Sequence, residues 1–454
     1  MNLHGPVRAA TSAGAGNATV VVRFDAWKEG EVAATTHKVR VEEPKVKLDL
    51  EPVAPELRKT LVHPDRKASV GVLKFSPDGA KVFVAGYPSG IVQVFDVTTG
   101  KELRRVAGPR GLRSSASYAV PSADWKTAYI AVEVRKNDRT EKDSKTVWVP
   151  NYTGEIRVFD LTTGEERPPL KREDNGAVAT IQLTDDGKRL RTNESFMKLT
   201  ETGERTGSSK VFEWDLATGT ARQVSDGHRQ ERQSKDGRWT AAARLDYQAQ
   251  TVRLAVTDAK SGKETVLLDG KKLMLGFLDL ARDGRFAVAT LYHLDKRSTP
   301  GELKVWDLAT FKEVGVPGIK GDHFTDMAFS PDGKVLAYGT FPGETGLIDT
   351  ATWKERPLGG KDARDSFQRF VFSADGKRLA LVGTRYPPGW ERSRDPDPLD
   401  FPQPRVYLYD LSTNDPPRVL LCPQGIVTKL VFDPTGKWLA AGATGGVWLF
   451  DVEK

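Results

Sequence analysis

The chain has 454 residues, of which 38% are hydrophobic and 28% are charged, and its formal net charge is 68 − 61 = +7. This composition is typical of a globular protein with enough apolar residues for a core. It excludes a membrane-spanning helix, because no apolar run reaches ~20 residues, and an intrachain disulfide, because there is a single cysteine. Charges of both signs alternate along the chain, which argues against nucleic-acid binding.

The first predicted elements are two strands near the N-terminus. Residues 18–24 and 36–41 alternate apolar and polar side chains, as the strands of a β-hairpin do. The pair resembles the last strands of an immunoglobulin-like sandwich, although a hairpin alone fits equally well. The missing apolar leader predicts a cytoplasmic protein, whereas the sandwich interpretation predicts a fragment of a longer, extracytoplasmic one. We assign residues 1–43 to this region and residues 44–55 to a charged linker with several prolines.

A repeated unit fills the rest of the chain. Its first full copy holds an apolar strand ending at Phe75, a Ser-Pro-Asp-Gly turn at 76–79, a second strand, a third strand ending in Phe95-Asp96, and a short fourth strand at 102–106. Four short antiparallel strands per unit, repeated many times, predict the blades of a β-propeller. The residue equivalent to Phe75 recurs at spacings of 43 to 63 residues, as Val120, Leu183, Gln233, Leu280, Phe329, Phe372 and Phe432.

The repeat resembles the WD40 family in a degenerate, bacterial-type form, over about residues 55–454. The segments that carry the resemblance are Trp214-Asp215-Leu-Ala-Thr-Gly219, Trp306-Asp307-Leu-Ala-Thr310 and Phe329-Ser-Pro-Asp-Gly-Lys. Most units lack the histidine and the turn aspartate of the family's hydrogen-bond network. TolB-like propellers share the Ser-Pro-Asp-Gly-Lys turn and are our second choice. The resemblance implies an all-β ring whose Trp214 and Trp306 are buried between blades.

The eight anchors predict an eight-bladed propeller. Seven blades is the alternative, because the unit near Gln233 has no aromatic-Asp pair. The chain ends directly after a third strand, and the strand at 57–62 resembles a fourth strand that lacks a unit of its own. We therefore expect residues 56–454 to form one propeller, closed by pairing of 57–62 with 447–450, because an open ring would expose sheet edges.

Four units are longer than the others between their second and third strands, at residues 135–153, 191–209, 292–301 and 384–404. In a propeller these connections share one face, so we expect a face rich in loops. Surface loops on a rigid scaffold commonly carry function, and aromatic and arginine side chains anchor interfaces. The candidates for contacts with a protein or peptide partner are Tyr386, Trp390, Arg392, Phe401, Trp148, Tyr152 and His293.

Catalytic signals are weak. The sequence has no Gly-x-Ser-x-Gly nucleophile motif, and its six histidines show no His-x-x-x-His pairing for a metal. We predict a monomeric, non-enzymatic scaffold without cofactor or metal that binds a protein or peptide through its loop-rich face. The alternative is an enzyme, or a binder of sugars or other small ligands, that uses the mouth of the central channel; inward-facing Asp, Glu, Asn or His side chains would favour it.

Overall fold

Tight turns and short apolar strands divide the chain into nine antiparallel sheets, and no helix occurs among the described residues. The structure is a computed structural model. It describes residues 16–22, 35–41 and 57–453, apart from residues 65–67, 88, 107–117, 143–144, 173–175, 185, 200–204, 227, 235, 247–248, 296–300, 317–322, 342–343, 360–365, 385–402, 414 and 424.

The N-terminal sheet is a two-stranded hairpin. Strands β1 (Gly16–Val22) and β2 (Thr35–Val41) pair antiparallel over their full length. The hairpin predicted from the alternating pattern is therefore present, and its comparison with a sandwich stays a prediction. The predicted linker at 44–55 lies outside the described residues.

The other eight sheets have four strands each and follow one another along the chain as blades 1 to 8. The strand at 57–62 is β3 (Leu57–Val62). The strands of blades 1 to 4 are β4 (Ser69–Phe75), β5 (Lys81–Tyr87), β6 (Val92–Asp96), β7 (Glu102–Val106); β8 (Ala119–Pro121), β9 (Thr127–Lys142), β10 (Lys145–Asp160), β11 (Glu166–Leu170); β12 (Ala177–Leu183), β13 (Arg189–Leu199), β14 (Arg205–Asp215), β15 (Ala221–Asp226); β16 (His228–Gln233), β17 (Trp239–Asp246), β18 (Thr251–Asp258) and β19 (Glu264–Lys271).

Blades 5 to 8 repeat the same order of strands. Their strands are β20 (Leu273–Leu280), β21 (Phe286–His293), β22 (Glu302–Asp307), β23 (Lys312–Val314); β24 (His323–Phe329), β25 (Val335–Phe341), β26 (Thr345–Asp349), β27 (Glu355–Pro357); β28 (Ser366–Phe372), β29 (Arg378–Thr384), β30 (Arg405–Asp410), β31 (Arg418–Leu421); β32 (Val427–Phe432), β33 (Trp438–Ala443) and β34 (Gly446–Asp451). All eight anchors predicted from the sequence lie in first strands, which confirms an eight-bladed propeller and excludes the seven-bladed alternative.

Blade 8 is completed by a strand from the other end of the ring. Strand β3 pairs antiparallel with β34, from Leu57 opposite Phe450 to Val62 opposite Gly446. Leu61 is buried with residues of blades 8 and 1. Because the pairing joins the two ends of the ring, no blade is left with an open third strand.

Aspartates fix the turns that the repeat predicts. At the end of the third strand of blade 1, Asp96 Oδ1 accepts a hydrogen bond from the Thr99 amide at 2.6 Å. Hydrogen bonds from Thr99 hold the pKa of Asp96 below its usual value. Blade 4 lacks the aromatic residue but keeps the turn, since Asp258 Oδ1 accepts from the amides of Lys260 and Ser261, both at 2.9 Å. The aspartate therefore defines the unit more strictly than the aromatic residue before it.

Apolar clusters fill the seams between neighbouring blades. Within the described part of the chain, buried clusters occupy seven of the seams, and the seam between blades 3 and 4 has none. Trp214 belongs to the cluster between blades 2 and 3 and Trp306 to the one between blades 4 and 5, and both are almost fully buried. The predicted burial of the two tryptophans is confirmed, and the single cysteine, Cys422, is buried as well.

Candidate functional site

The first strands of the blades line the central channel. Each first strand is the edge strand of its sheet, and contacts between first strands run from β16 through β20, β24, β28 and β32 to β4. Because these strands lie at the axis of the ring, their exposed side chains face the channel.

The first strands of five consecutive blades carry charged residues on this wall. With one residue per blade, in ring order from blade 4 to blade 8, these include Arg232, Asp279, Asp326, Arg369 and Lys429. The two acids are therefore adjacent and have cations on both sides. We call these five residues the channel arc. The positions of these charges were not predicted from the sequence, but Asp279 and Asp326 are inward-facing acids of the kind that favours the alternative function at the channel mouth.

The negative charge of Asp279 is only weakly balanced by hydrogen bonds and nearby cations. Asp279 Oδ1 accepts the amide of Leu280 at 2.9 Å, and the nearest cation is Arg232, whose Nε is 4.0 Å away. Burial raises the pKa of Asp279 to about 6, and the charge of Asp326 adds to the rise. Near neutral pH this side chain therefore exchanges a proton more readily than an ordinary aspartate.

Asp326 instead joins two blades. Its Oδ1 accepts the amide of Met327 at 2.9 Å, and its Oδ2 accepts the amide of Phe370 in blade 7 at 3.0 Å. Burial raises its pKa, although these hydrogen bonds and the charge of Arg369 act in the opposite direction. The bond to Phe370 fixes an irregular part of β28, where the register shifts between Gln368 and Val371.

Two candidate partner contacts lie on an extended hairpin of blade 2. The inserted segment 135–153 was expected to be a loop, but it continues the ladder of β9 and β10, with Tyr152 opposite Arg135 and Trp148 opposite Arg139. The insertion of blade 3 likewise lengthens β13 and β14. For these two blades the expected loops are wrong. Each added residue pairs with one across the hairpin, so the backbone hydrogen bonds of the insertion are satisfied within a ribbon.

The remaining candidates fall elsewhere. Tyr386, Trp390, Arg392 and Phe401 lie outside the described residues. His293 ends β21, where its Nε2 is 3.0 Å from Oε1 of Glu302 on the neighbouring strand. His293 is therefore not part of the channel arc, and the contact described for its side chain is with Glu302 of the same blade.

A buried polar network in blade 3 was missed by the sequence analysis. Trp214 Nε1 donates to Thr192 Oγ1 at 3.0 Å, and Thr192 donates to Glu194 at 2.9 Å. Glu194 also accepts from both terminal nitrogens of Arg172, each at 3.0 Å. The guanidinium of Arg172 lies 3.4 Å from the ring centre of Phe212. An arginine preceding the blade thus completes the chain of bonds that starts at the tryptophan.

Metal and membrane features are limited. Among the described residues, no three His, Cys, Asp or Glu side chains are grouped so that they could hold a metal ion. In that part of the chain there is also no helix that is long and apolar enough to span a membrane.

Comparison with known proteins identifies the repeat. The family model "WD domain, G-beta repeat" matches residues 415–451, which include the whole of β32, β33 and β34. No curated protein matches the chain. The matched segment is one repeat, and seven further sheets with the same strand order complete the ring. The chain is an eight-bladed β-propeller in which the repeat at residues 415–451 matches the WD40 family model.

Proposed function

We propose that this propeller is a non-enzymatic scaffold that binds a protein or peptide through the face carrying the long connections between second and third strands. WD40 propellers are commonly scaffolds for protein interactions, which supports this class of function. The observation that carries the proposal is the ribbon of β9 and β10, because it projects partner candidates on a paired backbone.

The register of the ribbon supports a shared contact surface. Trp148 and Tyr152 are four residues apart in β10, so they belong to the same side of the ribbon. Arg139 and Arg135 stand directly opposite them in β9. Aromatic residues and arginine are the side chains that most often dominate binding energy at interfaces.

A paired ribbon also lowers the cost of binding. A free loop loses conformational entropy when a partner orders it, whereas a hairpin with a continuous ladder has lost most of that entropy on folding. We include Tyr386, Trp390, Arg392, Phe401 and His293 in the proposed face, since their segments connect the second and third strands of other blades.

The test compares two double variants of the full chain. Trp148→Ala/Tyr152→Ala removes both aromatic candidates, and Val147→Ala/Asn151→Ala, on the other side of the ribbon, is the matched control. We expect a partner isolated with the wild-type protein to bind the first variant at least tenfold more weakly and the control within about twofold, as measured by titration calorimetry.

A third variant tests the proline-rich connection of blade 7. Replacing residues 386–401 by a short Gly-Ser linker should leave the melting temperature nearly unchanged, because a surface insertion adds little closure entropy, and should weaken partner binding. Unchanged affinity in all three variants would overturn the proposed face, and a large drop in melting temperature would show that the connection belongs to the core.

A further inference from the structure

Two cations of the channel arc form no ion pair among the described residues, although the charge of Asp326 acts on both of them. Arg369 and Lys429 are exposed, and their charged groups form no hydrogen bond or ion pair with the described residues. They occupy equivalent positions, three residues before the anchors Phe372 and Phe432. Because β28 and β32 contact each other, the two side chains stand on adjoining parts of the channel wall.

The backbone at Arg369 is held in an unfavourable conformation. Its φ is 60°, in the left-handed region that residues other than glycine rarely adopt. The next residue, Phe370, is buried between blades 6 and 7, and its amide is bound by Asp326 at 3.0 Å. This irregularity keeps Phe370 in the core while Arg369 remains exposed, so the strain is retained at a cation whose guanidinium forms no ion pair with the described residues.

The two like charges oppose each other. Partial burial lowers the pKa of Lys429 and the positive charge of Arg369 lowers it further, while the charge of Asp326 acts in the opposite direction. On the next inner strand, β4, Lys74 is a third cation, and partial burial lowers its pKa. An anion between these side chains would relieve the repulsion and would gain attraction in a place only partly screened by water.

We propose that Arg369 and Lys429 form a binding site for an anionic group, a carboxylate or a phosphate, on the wall of the central channel. Arg369 presents a planar set of donors suited to two oxygens of such a group, and Lys429 supplies a second charge. Asp326 makes the wall negative on the other side of Arg369, which directs the anion towards blade 8. The group belongs either to a free small anion or to an acidic side chain of a bound peptide.

The experiment is titration calorimetry of the full chain with inorganic phosphate at constant ionic strength. Arg369→Gly removes the cation and relieves the positive φ, and Lys429→Met keeps the aliphatic stem without the charge. Lys354→Ala, in an exposed turn of blade 6, is the matched control. We expect each channel variant to lose at least tenfold in phosphate affinity and the control to stay within twofold.

A second probe separates the two sources of the anion. Hexaglutamate is titrated in the same way, and tighter binding of phosphate assigns the site to a free anion, whereas tighter binding of hexaglutamate assigns it to a peptide carboxylate. Melting curves show whether the variants are folded, and Arg369→Gly should melt at or above the wild-type temperature. If Arg369→Gly fails to fold, the comparison of Lys429→Met with the control decides the question.

Two results would overturn the site: a wild-type protein that binds neither probe, or channel variants that bind as tightly as the control. The proposal is independent of the scaffold function. Trp148→Ala/Tyr152→Ala should keep its phosphate affinity, so failure of the ribbon as a partner surface and failure of the anion site are distinguished.

Discussion

The seam between blades 8 and 1 and the seam between blades 3 and 4 belong to the same ring but are built from different contacts. The first contains a buried apolar cluster that includes Leu61 of β3 and Val447 of β34. The second has no such cluster among the described residues; Arg191 of blade 3 forms an ion pair with Glu231 of blade 4.

The polar character of the second seam follows from its strands. The first strand of blade 4 reads His-Arg-Gln-Glu-Arg-Gln and has no apolar side chain to contribute. Behind it, blade 4 presents the small pair Ala242 and Ala255, which face each other in register. On the blade 3 side, the buried carboxylate of Glu213 accepts hydrogen bonds from the guanidinium groups of Arg189, Arg191 and Arg222.

The comparison shows that the meeting point of the chain ends is not the weak point of the ring. The pairing of β3 with β34 completes the sheet of blade 8, and the seam between blades 8 and 1 has an apolar core that includes Leu61 of β3. Ion pairs that are partly exposed contribute little, so the seam between blades 3 and 4 should open first. The predictions that follow test this difference.

The largest expected effect concerns β3. Deletion of residues 1–63 removes the ladder partner of β34, and unpaired buried backbone groups cost ~1–3 kcal/mol each against a typical stability of ~5–15 kcal/mol. We expect aggregation or failure to express. Deletion of residues 1–50, which spares β3, is the control and should keep the melting temperature of the full chain; equal behaviour of both deletions would show that the ring does not depend on β3.

Substitution of Trp306 tests the apolar seam between blades 4 and 5. This tryptophan is 3% exposed, and Trp306→Ala should lower the free energy of unfolding by ~3–5 kcal/mol through cavity formation and lost burial. Phe311→Ala, at a residue of the same blade that is 36% exposed, is the control and should cost less than half as much. Urea unfolding measures both; a loss below ~1 kcal/mol for Trp306→Ala would contradict the burial of apolar groups as the source of seam stability.

The charge of Asp279 should affect stability in the opposite direction from that of a paired carboxylate. The folded-state pKa of Asp279, about 6, lies above the ordinary 3.8, so its contribution to stability is full below pH ~4 and is lost as the pH rises through 6. Asp279→Asn should therefore gain at most ~3 kcal/mol at pH 8 and nothing at pH 4. Chemical unfolding at the two pH values tests this, and an equal difference at both would show that the charge is not destabilising.

For Glu213, by contrast, burial raises the pKa but the three arginines outweigh it, so its pKa is lowered. Its contribution is present above the ordinary carboxyl pKa and is lost as the pH falls. Removal of a charge therefore stabilises the channel wall at Asp279 and destabilises the seam at Glu213, which distinguishes a weakly paired carboxylate from one that three arginines hold.

The smallest effect is expected at Arg191. Its side chain is 36% exposed, and Arg191→Met should cost less than ~1 kcal/mol, because Glu213 keeps two other arginines and the pair with Glu231 is partly screened. Arg191→Lys serves as the control for charge. A loss above ~2 kcal/mol in unfolding experiments would mean that the polar seam is as strong as the apolar ones.

The sequence predicts the blades well because the turns of each unit are fixed by residues close to one another in the chain. The Ser-Pro-Asp-Gly turn after Phe75 and the aspartate after each third strand form hydrogen bonds within a few residues of themselves. Contacts of this kind depend on short sequence separations, so the number of blades follows from counting units.

The sites depend on which blades meet and could not be predicted in the same way. Asp326 binds a backbone amide 44 residues away, and Arg172 reaches Glu194 from outside its blade. The irregularity at Arg369 has no glycine to mark it. The ribbon at Trp148 was mistaken for a loop because its register is set by pairing between two inserted segments, and insertion length alone does not distinguish a loop from a hairpin.

Native-state hydrogen exchange at two salt concentrations measures the two seams in one experiment. In 0.1 M salt, amides of β14 and β17, beside the polar seam, should exchange through openings of lower free energy than amides of β34 and β5, beside the apolar one. Raising the salt to 1 M should accelerate exchange in β14 and β17 only, because salt screens the Arg–Glu pairs. Earlier exchange in β34 and β5, or an equal response of both regions to salt, would contradict a ring whose weak seam lies between blades 3 and 4.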